Sequence, residues 1–220
     1  MAEATTVTLI TGPNRGIGHG ILATILARPN NTVIAAVRDP RSDVSKALNE
    51  LPKGEGSSLI LTNIDQSVPT DAAEAVQSLD SLGVSRIDTV VANAAIADSA
   101  AMVAATSLMM FADTWTSSLG SATLVEYMKG PWFCYGVTKT AVNYMVRRIH
   151  VENDWLTAIA LQPGWVQTDM GNLAAKTIGM EAAPMKLEDS VAGCVKVIDA
   201  ASREKYAGQW VDSEEKLVPW

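Results

Sequence analysis

Tyr135 and Lys139 stand four positions apart, so on a helix their side chains share one face, with Cβ atoms about 5 to 6 Å apart. A phenol that titrates near 10 is a poor acid at neutral pH, and a nearby ammonium favours its phenolate and eases proton transfer. The spacing alone is unselective, because it arises on any amphipathic helix. A second feature carries more weight: Thr11-Gly12-Pro13-Asn14-Arg15-Gly16-Ile17-Gly18 lies where a β-branched run gives way to a helical pattern. In such a turn Gly12 permits the tight bend and Gly16 lets backbone approach a phosphate. Gly18 lets the helix lie close on the sheet, with its positive N-terminus aimed at a pyrophosphate. That setting favours dinucleotide binding over a plain glycine-rich connection.

Twenty residues past Gly18, after the second predicted strand, comes Arg38-Asp39. An arginine there suits a ribose 2′-phosphate, and an acid would hold the free 2′-hydroxyl. Arg38, with Arg15, favours NADP, while Asp39 leaves NAD open or caps the following helix. Asp65 and Asn93 follow the third and fourth strands, at the carboxyl ends where such sheets bind ligands. Read structurally, Asp65 is a turn or cap residue and Asn93 a loop-satisfying amide.

These residues need a scaffold, and the hydrophobic pattern supplies one. Strands are expected at 7–11, 32–37, 59–64, 87–93, 156–161 and 209–212, and helices at 16–27, 42–51, 70–82, 135–152 and 187–201. The alternation predicts an α/β fold: a single Rossmann-like, doubly wound parallel sheet with helices on both faces, forming one domain over 1–220. Between Asn93 and Tyr135 a crossover helix, a strand and a loop must fit into little chain.

Composition narrows the function classes. The 220 residues are 48% hydrophobic and 19% charged, the balance of a globular domain, and 24 acidic against 17 basic residues give a net charge of −7. Nucleic acid and anionic membrane are therefore not expected as partners. No run of about 18 apolar residues occurs. Two cysteines, Cys134 and Cys194, fit neither a disulfide framework nor a zinc site, and a reducing, cytoplasmic setting with no metal is expected. His19 and His150 have no partner at metal spacing.

Four signatures in order make the chain resemble the short-chain dehydrogenase/reductases nearly end to end. They are the Thr11–Gly18 turn, Asn93-Ala94-Ala95, Tyr135-x-x-x-Lys139, and Pro163-Gly164-Trp165-Val166-Gln167-Thr168. Within that family Ala35-Ala36-Val37-Arg38-Asp39-Pro40 and the Pro163–Gly171 segment resemble the fungal norsolorinic acid ketoreductase branch. The resemblance implies NADPH-dependent reduction of a ketone, or oxidation of the secondary alcohol, in polyketide or other secondary metabolism. It implies Tyr135 as proton donor and Lys139 as the residue that binds the nicotinamide ribose and lowers the phenol's pKa. A serine within Thr116–Ser121, Ser117 or its neighbour Ser118, would orient the carbonyl. Val166 and Thr168 would contact the carboxamide, though Thr168 also reads as a cap for the next turn. Gly12, Arg15, Gly16, Ile17, Gly18, Arg38, Asp65 and Asn93 would hold the rest of the cofactor.

The chain departs from the family between Asp113 and Thr116. Only 24 positions separate Asn93 from Ser117, roughly twenty to thirty fewer than relatives have, comparable to a helix and part of a strand. No asparagine lies between Asn93 and Asn143, so the family's relay asparagine has no counterpart. An internal deletion shortening the central strand region is expected. It leaves open whether the chain forms a homo-oligomer and whether it is a catalytically impaired cofactor-binding or interaction protein.

Overall fold

A computed structural model describes residues 5–95 and 133–219, with the backbone alone for 133–135. The expected serine segment, Ser117 included, and the shortened middle lie outside the described residues. The chain divides into two compact units, Met1–Ala94 and Ala95–Trp220.

In the first unit β1 (Thr6–Thr11), α1 (Gly16–Leu26), β2 (Asn31–Val37), the short α2 (Asp43–Lys46), β3 (Ser58–Asn63), α3 (Asp71–Ser81) and β4 (Thr89–Val91) follow one another. The four strands are parallel in the order β3-β2-β1-β4. The chain thus winds outward from β1 to β3 and then returns to the other side of β1, which makes the β1/β4 boundary a topological switch point. Ligands of such sheets bind outside the carboxyl ends of the strands there. Alternating side chains cover both faces of the sheet. Leu9, Ile34 and Ala36 pack with Leu79 of α3. Ile10, Val33, Ala35 and Val37 point the other way and are fully buried or nearly so, as are Leu22 and Leu26 of α1.

Two elements here are shorter than the pattern suggests. The helix expected over 42–51 starts at an N-cap, Ser42, whose hydroxyl accepts from Ser45 N. It tightens into a 3₁₀ turn at Ala47–Glu50 and stops at an extended Leu51, the conformation a following proline imposes. Strand β4 ends at Val91 instead of Asn93, because the Asn93 and Ala94 amides bond Thr11 Oγ1 (3.0 and 2.9 Å).

The second unit contains α4 (Phe133–Glu152), β5 (Ala160–Gln162), α5 (Asp169–Thr177), α6 (Leu187–Ala200) and β6 (Trp210–Asp212). Strands β5 and β6 pair in parallel, and α6 buries Val191, Cys194, Val195 and Val197 while β6 buries Trp210 and Val211. Strand β5 begins four residues later than expected because Arg203 claims the carbonyls of Asn153 and Leu156 (3.2 and 2.8 Å), turning that stretch out of the ladder.

Helix α5 was not expected from periodicity. Its signals are a Thr168 N-cap, whose Oγ1 accepts from Gly171 N at 3.1 Å, and an acid in the first turn, Asp169. The acidic stretch Asp212–Glu215 is tied down. Glu215 pairs with Lys196 and accepts from Lys205 and the Tyr206 hydroxyl (2.9 Å), donors that hold its carboxyl down to about 2.

Candidate active site

At the switch point the glycine turn and the end of β4 lock together. The Asn93 side-chain amide donates to the carbonyls of Thr11 (3.0 Å) and Gly12 (3.2 Å), while the Thr11 hydroxyl oxygen accepts the Asn93 and Ala94 amides. This close meeting requires glycine twice. Gly12 has φ +63, and a Cβ there would lie 3.0 Å from Ala94 Cα. At Gly18 a Cβ would lie 2.3 Å from Asn93 Nδ2. The Asn93 side chain therefore shapes the turn through both of its donor bonds.

Around this lock the other expected cofactor residues take their places. Gly16 and Ile17 open α1, and Arg15 is its exposed, extended N-cap and contributes no side-chain bond to it. The first-turn amides thus have no side-chain acceptor at the N-cap, an arrangement that fits an anion. Arg38 and Asp39 are both exposed just past β2. Asp39 does not cap the next helix. Its carboxylate accepts from the Arg41 amide (2.9 Å) and pairs with Arg41 Nε (3.5 Å). Asp65 closes a turn by accepting from the Ser67 hydroxyl (2.7 Å) and amide (2.9 Å). Those bonds lower its pKa, with Arg38 assisting through its charge.

Sequence reasoning missed Asp71, a buried carboxylate that accepts from Asn63 Nδ2 (2.5 Å) and the Asp65 amide (2.8 Å) and so fixes the end of β3. Its one signal was its place in the first turn of α3.

In the second unit Tyr135 and Lys139 are both on α4, one turn apart, as expected. Lys139 is 0% exposed, and burial pushes its pKa down to about 6. Val166 is buried and Thr168 caps α5. Trp165 donates its indole N–H to Gly171 O at 2.9 Å. Burial raises the Cys194 thiol to about 11, which makes it inert at neutral pH. Among the described residues no group of three metal-ligating side chains occurs, and no helix is long and apolar enough to cross a membrane.

These features are those of a dinucleotide-binding α/β oxidoreductase. In comparison with known families, residues 6–125 match the short chain dehydrogenase family. The norsolorinic acid ketoreductase of Dothistroma septosporum is 40% identical over 98% of this chain and 92% of its own length. That of Aspergillus parasiticus is 37% identical over 98% and 91%. The chain belongs to the short chain dehydrogenase family, whose members are nicotinamide-dependent oxidoreductases.

The fold is shared with an NADPH-bound carbonyl reductase from chicken fatty liver (TM-score 0.83, 23% identity, covering 99% of this chain and 100% of that one). It is also shared with the Drosophila melanogaster carbonyl reductase Sniffer (TM-score 0.81, 19% identity, 99% and 100%). The match to the D. septosporum enzyme also measures the expected deletion. It spans 249 positions but uses 98% of 220 residues, about 216, so about 33 positions of the relative have no counterpart in this chain. Because the match reaches nearly end to end, most of that loss is internal.

Proposed function

We propose that this protein is an NADPH-dependent ketoreductase that reduces a ketone, or oxidises the secondary alcohol, in fungal secondary metabolism. The observation that carries the reading is Lys139. A lysine with no exposed surface is unfavourable for folding, and such groups cluster where chemistry uses them. This one stands a helical turn from a tyrosine, in a chain 40% identical to a ketoreductase.

When bound, the reduced nicotinamide supplies a hydride to the carbonyl carbon. Tyr135 gives its phenolic proton to the carbonyl oxygen, so the C=O bond becomes C–H and O–H. Lys139 would hold the nicotinamide ribose, and its protonated form would favour the phenolate left on Tyr135 once the phenol has given up its proton. Ser117 hydrogen-bonds the carbonyl oxygen and orients it. Val166 and Thr168 hold the carboxamide. Gly12, Gly16, Ile17 and Gly18 receive the pyrophosphate, Asp65 and Asn93 line the adenosine side, and Arg15 and Arg38 take the 2′-phosphate. The preference for NADPH is supported by the engagement of Asp39 with Arg41, which offsets a carboxylate charge that would repel that phosphate. The buried free thiol of Cys194 suits a reducing cytoplasm.

Tyr135→Phe should abolish ketone-dependent NADPH oxidation while sparing NADPH binding, and unchanged turnover would overturn the assignment. The roughly 33 missing positions favour a second reading, a cofactor-binding protein that has lost catalysis. Oxidation of NADPH that depends on an added ketone would exclude it.

A further inference from the structure

The connection from β5 to α6 is bonded to itself at several points. Met185 N donates to Trp165 O (3.0 Å) and Gln167 N to Met185 O (2.8 Å). Two side-chain amides then meet on one buried residue, Ala183, which is 2% exposed. Gln167 Nε2 donates to its carbonyl at 2.9 Å, and Asn172 Oδ1 accepts from its N–H at 3.0 Å. Both polar groups of Ala183 are thus satisfied, one from the turn before α5 and one from α5 itself. The first turn of α5 is seated against the same turn: Trp165 donates to Gly171 O, and a Cβ at Gly171 would lie 1.9 Å from Val166 O. Val166 and Thr168 lie inside this cross-tied stretch.

We propose that Gln167 and Asn172 are positioning residues. By clamping Ala183 they hold residues 165–185 as one preformed piece and so fix Val166 and Thr168 for the cofactor. The proposal rests on the reading above that Val166 and Thr168 contact the nicotinamide carboxamide. Its physical basis is entropy: a stretch ordered in advance loses less freedom when the cofactor binds, so its contacts appear more fully as affinity.

The test compares NADPH with 2′-phosphoadenosine 5′-diphosphoribose, which lacks the nicotinamide. It adds amide hydrogen exchange at Ala183 and thermal unfolding of each variant. Asn172→Ala should raise exchange at Ala183 and weaken NADPH on the order of tenfold, leaving the fragment's affinity unchanged. Asn172→Asp keeps an acceptor and should restore both readouts. Gln167→Ala, on the other side of Ala183, should repeat the split and serves if Asn172→Ala does not fold. Equal weakening of both ligands, or raised exchange with unchanged NADPH affinity, would overturn the proposal. Failure of the wild type to bind either ligand is a distinct outcome. It overturns the functional reading, and the proposal with it.

Discussion

The glycine turn of the first unit and the lysine of α4 in the second solve opposite problems. Around Thr11, Gly12 and Asn93 the protein brings backbone segments together with neutral hydrogen bonds, and each of the four bonds of the lock satisfies a donor at 2.9 to 3.2 Å. That region is stabilising as it stands. Lys139 is buried with its pKa lowered to about 6, so its charged form is disfavoured in the folded chain. The contrast teaches that the glycine turn persists on neutral hydrogen bonds and close packing, whereas the burial of Lys139 disfavours its own charged form.

Removing the lysine sharpens the contrast most. Lys139→Met should lower turnover by about 10²-fold or more, measured as ketone-dependent NADPH oxidation. It should also stabilise the chain at pH 7 by on the order of a few kcal/mol. The sign follows from proton binding. The unfolded lysine keeps its proton to about 10.5 and the folded one loses it near 6, so between those values the unfolded chain binds more protons and wild-type stability rises with pH. Chemical denaturation across that window should show the slope in the wild type and a flatter line in the variant. A wild-type profile already flat there would break the comparison.

The next effects concern close approach. At Gly171 an added methyl group would meet a backbone carbonyl, so Gly171→Ala should cost about 3 kcal/mol in equilibrium unfolding. At Gly18 it would meet the Asn93 amide and disturb its two bonds. The gain in helix propensity offsets part of that loss, leaving about 1 kcal/mol net. An effect on cofactor preference, with no effect on stability, belongs to the exposed Arg38. Arg38→Ala should reduce the preference for NADPH over NADH by about tenfold at low salt, and by less as salt rises.

What the sequence made legible was whatever repeats a local pattern. Val7 to Thr11, Gly16 to Ala27 and Thr32 to Val37 announce strand, helix and strand because burial alternates at periods of two and 3.6, and the observed bounds differ by one residue at most. Interactions between distant residues were not legible. That Asn93 would direct its amide into the turn depends on a contact 82 residues apart that no window contains, and that Asp71 would fix the Asp65 backbone depends on a side-chain bond that carries no periodic signal. The Thr168 cap was visible as a candidate, yet α5 was not, since the helix carries exposed Met170 and Leu173 and lacks a clean apolar stripe. The clamp on Ala183 was invisible because an alanine advertises nothing about its backbone partners.

The central claim is that the turn at Thr11–Gly18 is a working nucleotide site in a chain that has no counterpart to about 33 aligned positions of its relative. A titration with NADPH followed by cofactor fluorescence, beside the same titration with NADH, tests it most directly. Saturable binding with NADPH preferred is the predicted result, and no saturable binding of either cofactor would contradict the claim.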